Sequence, residues 1–352
     1  MSGFHSLTVA GIQQEAGGSA TSVTFDLPPA LAETFRWQAG QHLPVRFETG
    51  GREYRRCYSI SSPPGAPLRI TVKRVKGGVV SNRISDSLAP GSTVEAMPPA
   101  GRFVLAPAAL ARRTHYFFAA GSGITPLFAM IRAVLDHEPH SAAHLIYGNR
   151  SARGIIFREE LEALAAAFPD RFTLRHVLSS PRLWSGFTPW RSGRITRDAI
   201  SAAFAGTPPV AQDVQYWICG PGTMNAGIRK ALMELDVPAG RIRMESFGLS
   251  SPSGSTGPAG VAATASVTVN GSRREIPVAA GQTLLEAALA SGLTPPHSCQ
   301  SGVCGACRAR LTSGRVEMRA QMALSSSEVE QGDILTCQSL AETSELAVVY
   351  KD

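Results

Sequence analysis

Three of the six cysteines in this 352-residue chain lie close together near its C-terminal end. Cys299, Cys304 and Cys307 are spaced C-x4-C-x2-C with two glycines among them, and Cys337 follows thirty residues later. Four thiolates at this spacing are typical of a plant-type [2Fe–2S] cluster. The glycines allow tight turns that direct backbone N–H groups toward the sulfurs. The sequence therefore predicts that these four cysteines bind a [2Fe–2S] cluster.

Other uses of these thiols agree less well with the sequence. A structural zinc site usually takes two C-x2-C pairs, whereas this chain has one. A Rieske centre needs two histidines on one iron, and the nearby His297 stands in no C-x-H spacing. Disulfides are disfavoured because the N-terminal sequence shows no signal-peptide pattern, so we expect the reducing cytoplasm. A zinc-binding interaction domain stays open as an alternative, which measurement of iron and sulfide would distinguish.

Composition and charge restrict the remaining possibilities. Hydrophobic residues make up 43% of the chain and charged residues 17%, which is typical of a folded globular protein. No apolar run reaches the roughly 18 residues of a membrane span, so we expect no membrane insertion. The formal net charge is +7, but the basic residues are scattered, so we expect no binding to nucleic acid. We expect the chain on its own to be a monomer.

The pattern of strands and helices predicts three domains. Residues 1–107 contain short alternating segments between Gly/Pro turns, which predicts an antiparallel β-barrel. Residues 108–248 alternate apolar strand runs with helical runs, which indicates a parallel sheet covered by helices. Residues 249–264 carry no charge and are rich in Gly, Ser, Pro and Ala, as in a flexible linker. Residues 265–352 should fold as a small separate domain, and their cysteine spacing resembles that of plant-type ferredoxins, which implies an α+β (β-grasp) fold.

Two local signals lie in this last domain. The segment VTVNGSRREIPV predicts a hairpin that turns at Asn270-Gly271. The segment QTLLEAALASGL predicts an amphipathic helix that ends at Gly292. Both surround the cysteine loop and are consistent with a domain that carries electrons.

A one-electron cluster cannot accept a hydride, so we expect a flavin in the first half of the chain. Four short motifs occur there in order: RRCYSI (55–60), GGVVS (77–81), GSGITP (121–126) and CGPGTM (219–224). They resemble those of the ferredoxin–NADP reductase superfamily, and the resemblance covers essentially the whole chain. With its C-terminal ferredoxin domain, the chain is similar to the reductase subunits of phenylacetyl-CoA epoxidase and of Rieske-type monooxygenases.

The resemblance implies an FAD site in the first domain. Arg56 is expected to pair with the flavin pyrophosphate, Tyr58 to stack on the isoalloxazine and Ser59 to bond near its N5 edge. The glycine turn 77–81 enters a short helix, and a helix N-terminus suits a diphosphate, which implies FAD rather than FMN. The residues expected to contact FAD are Arg56, Cys57, Tyr58, Ser59, Val72, Lys73, Gly77, Gly78, Val79, Val80, Ser81, Thr125 and Phe247.

The resemblance also implies a nicotinamide site in the second domain. Thr125 is expected to face both cofactors, and Cys219 to lie against the nicotinamide C4, although a small buried apolar residue would explain that cysteine nearly as well. Glu245 is expected to relay a proton, so that Ser59, Cys219 and Glu245 form the candidate catalytic set. The residues expected to contact the nucleotide are Gly121, Gly123, Thr125, Pro126, Arg150, Ser151, Cys219, Gly220, Pro221 and Met224.

The stretch NRSARG, which follows the strand pattern AHLIYG, bears on the choice of nucleotide. It provides Arg150, Ser151 and Arg153 and no acid. A ribose 2′-hydroxyl is usually held by an acidic side chain, whereas a 2′-phosphate needs arginine and a hydroxyl. The stretch therefore favours NADPH, with NADH possible because relatives that use NADH carry the same N-R pair.

The function implied is that of the reductase component of a multicomponent oxygenase. Hydride would pass from NADPH to FAD, and single electrons would then pass through the cluster to an iron oxygenase of the Rieske or di-iron type. One alternative is an NADH-dependent reductase of a Rieske hydroxylase. Another is a redox sensor or electron-carrier module with a degenerate flavin domain, against which the intact R-x-Y-S and G-G-x-x-S motifs argue.

Overall fold

The computed structural model describes residues 3–181, 190–246, 260–297, 300, 302, 305–319, 321, 323–324 and 326–350. The chain divides into two compact units, residues 1–43 with 58–247 and residues 44–57 with 248–352. In the described part of the chain, no helix is long and apolar enough to cross a membrane.

The first domain is the predicted β-barrel. Its strands have the order β4-β3-β6-β1-β2-β5, and β1 pairs antiparallel with both β2 and β6. Beyond the end of β4, a bridge between Ile60 and Ile70 and a 2.7 Å bond from Ser61 N–H to Arg69 O join the chain to β5. These contacts connect the two edges of the sheet. The elements are β1 His5–Glu15, β2 Ala20–Asp26, β3 His42–Thr49, β4 Arg52–Ser59, β5 Arg69–Lys73, α1 Val79–Ser87 and β6 Thr93–Ala96.

The second domain has a six-stranded sheet whose strands all pair in parallel, as the alternation of strand and helix patterns predicted. The strand order is β10-β9-β8-β7-β11-β12, so the chain reverses direction across the sheet between β7 and β11. Ligands of open parallel sheets bind at the carboxyl edge of such a switch point. The elements are β7 Arg113–Ala120, α2 Ile124–His137, β8 Ala142–Asn149, α3 Arg158–Ala167, β9 Phe172–Leu178, β10 Trp190–Ser192, α4 Arg197–Gly206, β11 Asp213–Gly220, α5 Gly222–Met233 and β12 Ile242–Ser246.

Helices cover both faces of this sheet. Phe117 of β7 faces a core shared with α2 and α3, whereas its neighbours Tyr116 and Phe118 face a core shared with α4 and α5. Burial on both faces explains why β7 is a nearly continuous apolar run rather than an alternating one. The first of these cores includes Ala20 and Leu105 of the barrel, so the first two domains pack together.

The third domain is a mixed five-stranded sheet of order β14-β13-β19-β15-β17 with a separate pair β16-β18. The predicted hairpin turn is present, with φ of +48° at Asn270 and +72° at Gly271. The helix α6 begins with a reciprocal capping box between Thr283 and Glu286. The elements are β13 Ala263–Val269, β14 Ser272–Val278, α6 Leu284–Ala290, β15 Arg308–Ser313, β16 Val316–Met318, α7 Ser326–Glu330, β17 Asp333–Leu335, β18 Ser339–Ala341 and β19 Glu345–Tyr350.

The predicted linker 249–264 lies outside the described residues as far as residue 259. Its last residues are ordered, because Val261 N–H donates to Ala341 O at 2.8 Å and β13 begins at Ala263. Composition alone missed these residues, since pairing of their backbone with β14 and β19 depends on partners distant in the sequence.

Candidate active site

The flavin side of the site begins with Ser59 at the end of β4. Ser59 is only 4% exposed, and its Oγ has no hydrogen-bond partner among the described residues. A buried hydroxyl without a partner costs about 1–3 kcal/mol, so the position suits a bound group that supplies one. Ser59 therefore fits the predicted contact with the flavin edge. Arg56 and Tyr58 lie two residues apart on β4, where alternation directs their side chains to one face.

The glycine turn before α1 forms the second part of the flavin side. Gly77 has φ +72°, and a Cβ on Gly78 would come within 2.5 Å of Ser81 Oγ. Ser81 Oγ accepts a hydrogen bond from Val75 N–H at 3.2 Å, which closes the turn over the start of the helix. No side chain of the described residues caps this helix N-terminus, so its first N–H groups suit a diphosphate.

The other residues predicted to contact FAD differ in their exposure. Val72 and Val80 are buried, Val79 is 40% exposed, and Cys57 is partly exposed. Phe247 lies outside the described residues. The contacts of all these residues with FAD stay predictions.

A cavity of about 570 Å³ lies at the carboxyl ends of β7, β8, β9 and β11. This is the switch point of the sheet, where a nucleotide is expected. The predicted nucleotide contacts that line it are Gly121, Arg150, Gly220, Pro221 and Met224. The lining does not include Gly123, Thr125, Pro126, Ser151 or Cys219.

Gly123 has a different part in the site. A Cβ at this position would lie 2.0 Å from Cys219 O and 2.8 Å from Gly220 N, so the turn after β7 packs directly on the backbone of β11. The helix α2 starts at Ile124, and the hydroxyl of Thr125 donates to Ser122 O at 2.9 Å instead of capping the helix. Thr125 is buried, so it supports the turn from beneath.

Two basic side chains in the cavity were not assigned to it from the sequence. Lys73, predicted to contact FAD, lines this cavity, and its Nζ is 3.3 Å from where a Cβ on Gly121 would stand. Arg194 lies in the turn after β10, which brings it to the same cavity from the far side of the sheet. By contrast, Arg153 packs on the barrel, with its Nε 2.7 Å from where a Cβ on Gly17 would stand. The sequence feature that could have indicated a turn at Arg194 is Gly193 before it, and in the structure Gly193 has φ +108°.

Cys219 and Glu245 are register partners on the adjacent strands β11 and β12. Cys219 is fully buried, and burial, followed by the nearby Glu245, raises the pKa of its thiol. Glu245 is partly buried as a residue, but its Oε2 is shielded from water, and burial raises the pKa of this carboxyl to about 8. Both groups therefore keep their protons at neutral pH. Asn225 Nδ2 holds the strand here by donating to Glu245 O at 2.9 Å.

The structure brings two of the four predicted cluster ligands into one apolar group. Cys307 and Cys337 are 3% and 6% exposed, and both belong to a buried cluster with Leu285, Leu324 and Leu335. Thr336 binds the Cys307 carbonyl through its N–H at 3.2 Å and its hydroxyl at 3.0 Å. Cys299 and Cys304 lie outside the described residues.

The backbone of the cysteine loop also suits a cluster. Gly302 and Gly305 have φ of +77° and +73°, the left-handed turns that the sequence predicted for this loop. Gln338 Nε2 donates to Gln300 O at 2.9 Å, which ties the loop to the chain that carries Cys337. The described donors and glycines therefore fit the four-cysteine cluster.

The comparisons with known proteins identify three domains in the chain. Residues 13–105 match the oxidoreductase FAD-binding domain, residues 117–230 the oxidoreductase NAD-binding domain and residues 267–342 the 2Fe-2S iron-sulfur cluster binding domain. One of the subunits of the 1,2-phenylacetyl-CoA epoxidase of Escherichia coli (strain K12) is 35% identical over 355 residues, which cover 99% of this chain and 98% of that protein. The chain belongs to this family of flavin and iron–sulfur reductases.

Other members of the family span similar lengths. The ferredoxin reductase component of 3-ketosteroid-9-alpha-monooxygenase from Rhodococcus rhodochrous is 34% identical over 361 residues, which cover 98% of this chain and 96% of that protein. Phthalate dioxygenase reductase has the same fold, with a TM-score of 0.66 at 24% identity over 99% of this chain and 98% of that one. This reductase is thus an oxidoreductase that uses a pyridine nucleotide, FAD and a [2Fe–2S] cluster, as the sequence predicted.

Proposed function

We propose that this reductase takes electrons from NADPH and delivers them to the iron-containing component of a multicomponent oxygenase. The proposal of NADPH rather than NADH rests on the cavity at the carboxyl edge of the parallel sheet. Lys73, Arg150 and Arg194 line it, and no acidic side chain is found among its described lining residues. Arginine pairs well with phosphate oxygens, whereas a ribose hydroxyl is usually held by a carboxylate.

The three cations have different places in this cavity. Lys73 is next to Gly121, at the turn that leads into α2, where the pyrophosphate of a dinucleotide is expected. Arg150 follows β8 and Arg194 follows β10, so these two approach from the loops that lie farther along the sheet. We assign the 2′-phosphate to Arg150 and Arg194 and the pyrophosphate to Lys73.

The flavin side supplies a hydrogen-bond donor and a helix N-terminus. Ser59 offers its buried hydroxyl to the flavin edge, and the turn before α1 offers backbone N–H groups to the diphosphate. When bound, FAD supplies the conversion of a two-electron donor into single electrons that a [2Fe–2S] cluster can carry. Cys219 and Glu245, both protonated, are uncharged side chains close to the turn between β7 and α2, where we place the nicotinamide. Glu245 provides an exchangeable proton there.

The partner is proposed from the relatives. Those named above serve an epoxidase and a ketosteroid monooxygenase, and a glycine betaine monooxygenase reductase subunit from Pseudomonas aeruginosa is 29% identical over 327 residues. An oxygenase of the Rieske or the di-iron type would accept single electrons from the cluster. We further infer a monomer in the cytoplasm, where reducing conditions keep its cysteines available for iron.

The choice of nucleotide is tested by ferricyanide reduction with NADPH and with NADH. Removing one charge-assisted bond to phosphate costs about 1.5–3 kcal/mol, so Arg150→Ala and Arg194→Ala should each lower kcat/KM for NADPH by roughly ten- to hundredfold. Neither should change kcat/KM for NADH to a comparable degree. Arg197→Ala serves as the matched control, because Arg197 lies three residues farther on and pairs with Glu234 at 3.8 Å. Equal losses with both nucleotides would reject the 2′-phosphate assignment and favour the NADH-dependent alternative.

The oxygenase partner is tested by coupled turnover. Reductase, NADPH and an oxygenase component encoded beside it should consume NADPH and oxygen together, and each protein alone should not. A chain that is reduced once and then stops in the presence of every candidate oxygenase would instead support a redox sensor.

A further inference from the structure

Glu15, the last residue of β1, is a buried carboxyl that the proposed function does not use. It is 7% exposed, and its two oxygens bond in different directions. Oε1 accepts from the hydroxyl of Ser22 in the barrel at 3.1 Å, and Oε2 accepts from the backbone N–H of Phe157 in the nicotinamide domain at 3.3 Å. A single side chain thus connects the two domains through hydrogen bonds.

The bond to Phe157 holds an unusual piece of backbone. Phe157 caps the start of α3 with φ +59°, a left-handed conformation that residues other than glycine rarely adopt. Its ring packs on Phe128 of α2 with centroids 4.6 Å apart. Without Glu15, the N–H of Phe157 would be a buried donor with no acceptor in this contact.

A second barrel residue supports the same turn. The guanidinium of Arg69 lies 5.0 Å from the ring centroid of Phe157 and pairs with Glu160 of α3 at 3.1 Å. On its barrel side, Arg69 is fixed by its backbone N–H, which donates to Ser62 Oγ at 3.1 Å. The first turn of α3 is therefore held to the barrel at two points, of which Glu15 is the one inside the protein.

The backbone before α3 is connected to the nucleotide cavity through Tyr147. Tyr147, fully buried on β8, donates its hydroxyl to Gly121 O at 2.8 Å and accepts the N–H of Ile156 at 3.4 Å. The N–H of Ile156 is thus bonded to the tyrosine that supports the turn at Gly121. The N–H of the next residue, Phe157, is bonded to the barrel. The segment that ends at these residues starts at Arg150, and both Arg150 and Gly121 line the cavity.

We propose that Glu15 is a positioning residue for hydride transfer. Because its side chain bonds to both Ser22 and Phe157, it fixes the position of segment 150–157 relative to the barrel that binds the flavin. The role depends on the length of the side chain and on its two bonds. A negative charge is not required. The inference rests on the family's use of a pyridine nucleotide and FAD, whichever of the two nucleotides is preferred.

The surroundings of the Glu15 carboxyl act on its pKa in both directions. Burial raises the pKa of Glu15, and the nearby Glu160 acts in the same direction. The hydrogen bonds from Phe157 and Ser22 and the charge of Arg69 act in the opposite direction.

Three substitutions separate reach from charge. Glu15→Gln keeps the length, since the new amide oxygen can accept from Phe157 N–H and the new amide nitrogen can donate to Ser22 Oγ. Glu15→Asp keeps the charge but withdraws the carboxyl by one methylene, and Glu15→Ala removes both bonds. The matched control is Glu95→Ala, which removes a carboxylate of β6 that accepts from Ser6 at 2.6 Å within the barrel.

The measurement is the rate of FAD reduction by NADPH and by NADH in the full-length reductase, followed by stopped flow at increasing nucleotide concentration. A misplacement of about 1 Å can cost as much as a hundredfold in rate, so Glu15→Asp and Glu15→Ala should slow the step by roughly ten- to hundredfold with both nucleotides. Glu15→Gln and Glu95→Ala should stay within about twofold of the wild type. Transfer from photochemically reduced flavin to the cluster should be unchanged in every variant that binds FAD.

Two results would overturn the proposal. One is wild-type flavin reduction in Glu15→Asp with a slow Glu15→Gln, which would assign the effect to charge. The other is a slower flavin reduction in Glu15→Asp that its lower FAD content and lower thermal midpoint account for in full, as a merely structural role requires. If Glu15→Ala does not fold, the Gln and Asp variants still decide. A loss with NADPH alone would belong to the 2′-phosphate assignment and would count against Glu15 as a positioning residue.

Discussion

At the scale of single residues, burial controls the protonation of two groups near the carboxyl ends of β11 and β12, Cys219 and Glu245. Cys219 and Glu245 face each other across β11 and β12, and burial is the main cause that raises the pKa of each. Burial disfavours both anions, so that the thiol and the carboxyl stay uncharged beside the site.

Glu245 should make the stability of the protein depend on pH. Its pKa rises from 4.5 to about 8 in the folded chain. Between these values the unfolded chain loses the proton and the folded chain keeps it, so the free energy of unfolding should fall as the pH rises. The thermal midpoint of the wild type should therefore decrease from pH 5 to pH 8 more than that of Glu245→Gln, in parallel melts followed by flavin fluorescence. Identical slopes in the two proteins would show that Glu245 is already ionised at neutral pH.

The cluster assignment leads to a separate prediction for Cys337. Cys337→Ser should remove or destabilise the [2Fe–2S] centre, because one iron loses a thiolate ligand. Flavin reduction by NADPH should persist, since the residues predicted for that step lie before residue 248. Iron and sulfide content, the visible spectrum and ferricyanide reduction check both parts. Tyr350→Phe is the control, because it removes only the hydroxyl that donates to Thr336 at 2.8 Å. A normal cluster spectrum in Cys337→Ser would contradict the ligand assignment.

At the scale of secondary-structure elements, the turn between β7 and α2 is held in place by close backbone packing. It rests on the end of β11 so closely that only a residue without a Cβ fits at Gly123. The same turn accepts the hydroxyl of Tyr147 at Gly121 O, so it is held from two sides. Gly121 and Ser122 of this turn line the cavity, so the position of the turn fixes one side of the cavity.

Gly123→Ala should displace this turn. The added Cβ would meet Cys219 O at 2.0 Å, and backbone on both sides leaves no flexible group to move aside. We expect a loss of about 1–3 kcal/mol in the free energy of unfolding, as for other overpacked sites, together with a higher KM for the nucleotide. Chemical denaturation and steady-state kinetics measure the two effects. Gly240→Ala, where no described residue lies within 4 Å of the new Cβ, should show neither. An unchanged KM in a folded Gly123→Ala would contradict the packing argument.

At the scale of the whole molecule, the three domain families match separate stretches of the chain. A chain of residues 1–248 should fold, bind FAD and reduce ferricyanide with NADPH, because its sites for both groups lie within that range. It should fail to reduce cytochrome c or an oxygenase efficiently, because it lacks all four predicted cluster ligands. Flavin content and the two reductase assays, with the full chain alongside, test this. A truncated chain that is insoluble or free of flavin would show that the domains do not fold independently.

Much of the fold followed from short-range patterns. The apolar run of β7, the turn at Asn270-Gly271 and the glycines of the cysteine loop depend on the preferences of a few neighbouring residues, which the sequence displays directly. Elements with weaker local signals, such as the short strands β10 and β12, exist because a neighbouring strand supplies their hydrogen-bond partners. Their partners are distant in sequence, so no local pattern indicated them.

The cofactors were likewise predicted from the sequence, because spacing along the chain is itself the constraint that a cluster or a phosphate turn imposes. The directions of the basic side chains were decided only by the tertiary structure. Arg150 and Arg153 are three residues apart, yet Arg150 lines the cavity and Arg153 packs on Gly17 of the barrel. Arg194 reaches that cavity because the carboxyl ends of the parallel strands meet there, whereas Lys73 reaches it from β5 of the barrel, which packs against this domain. Which long side chains meet at a point depends on the packing of whole elements, and residue order does not contain that information in local form.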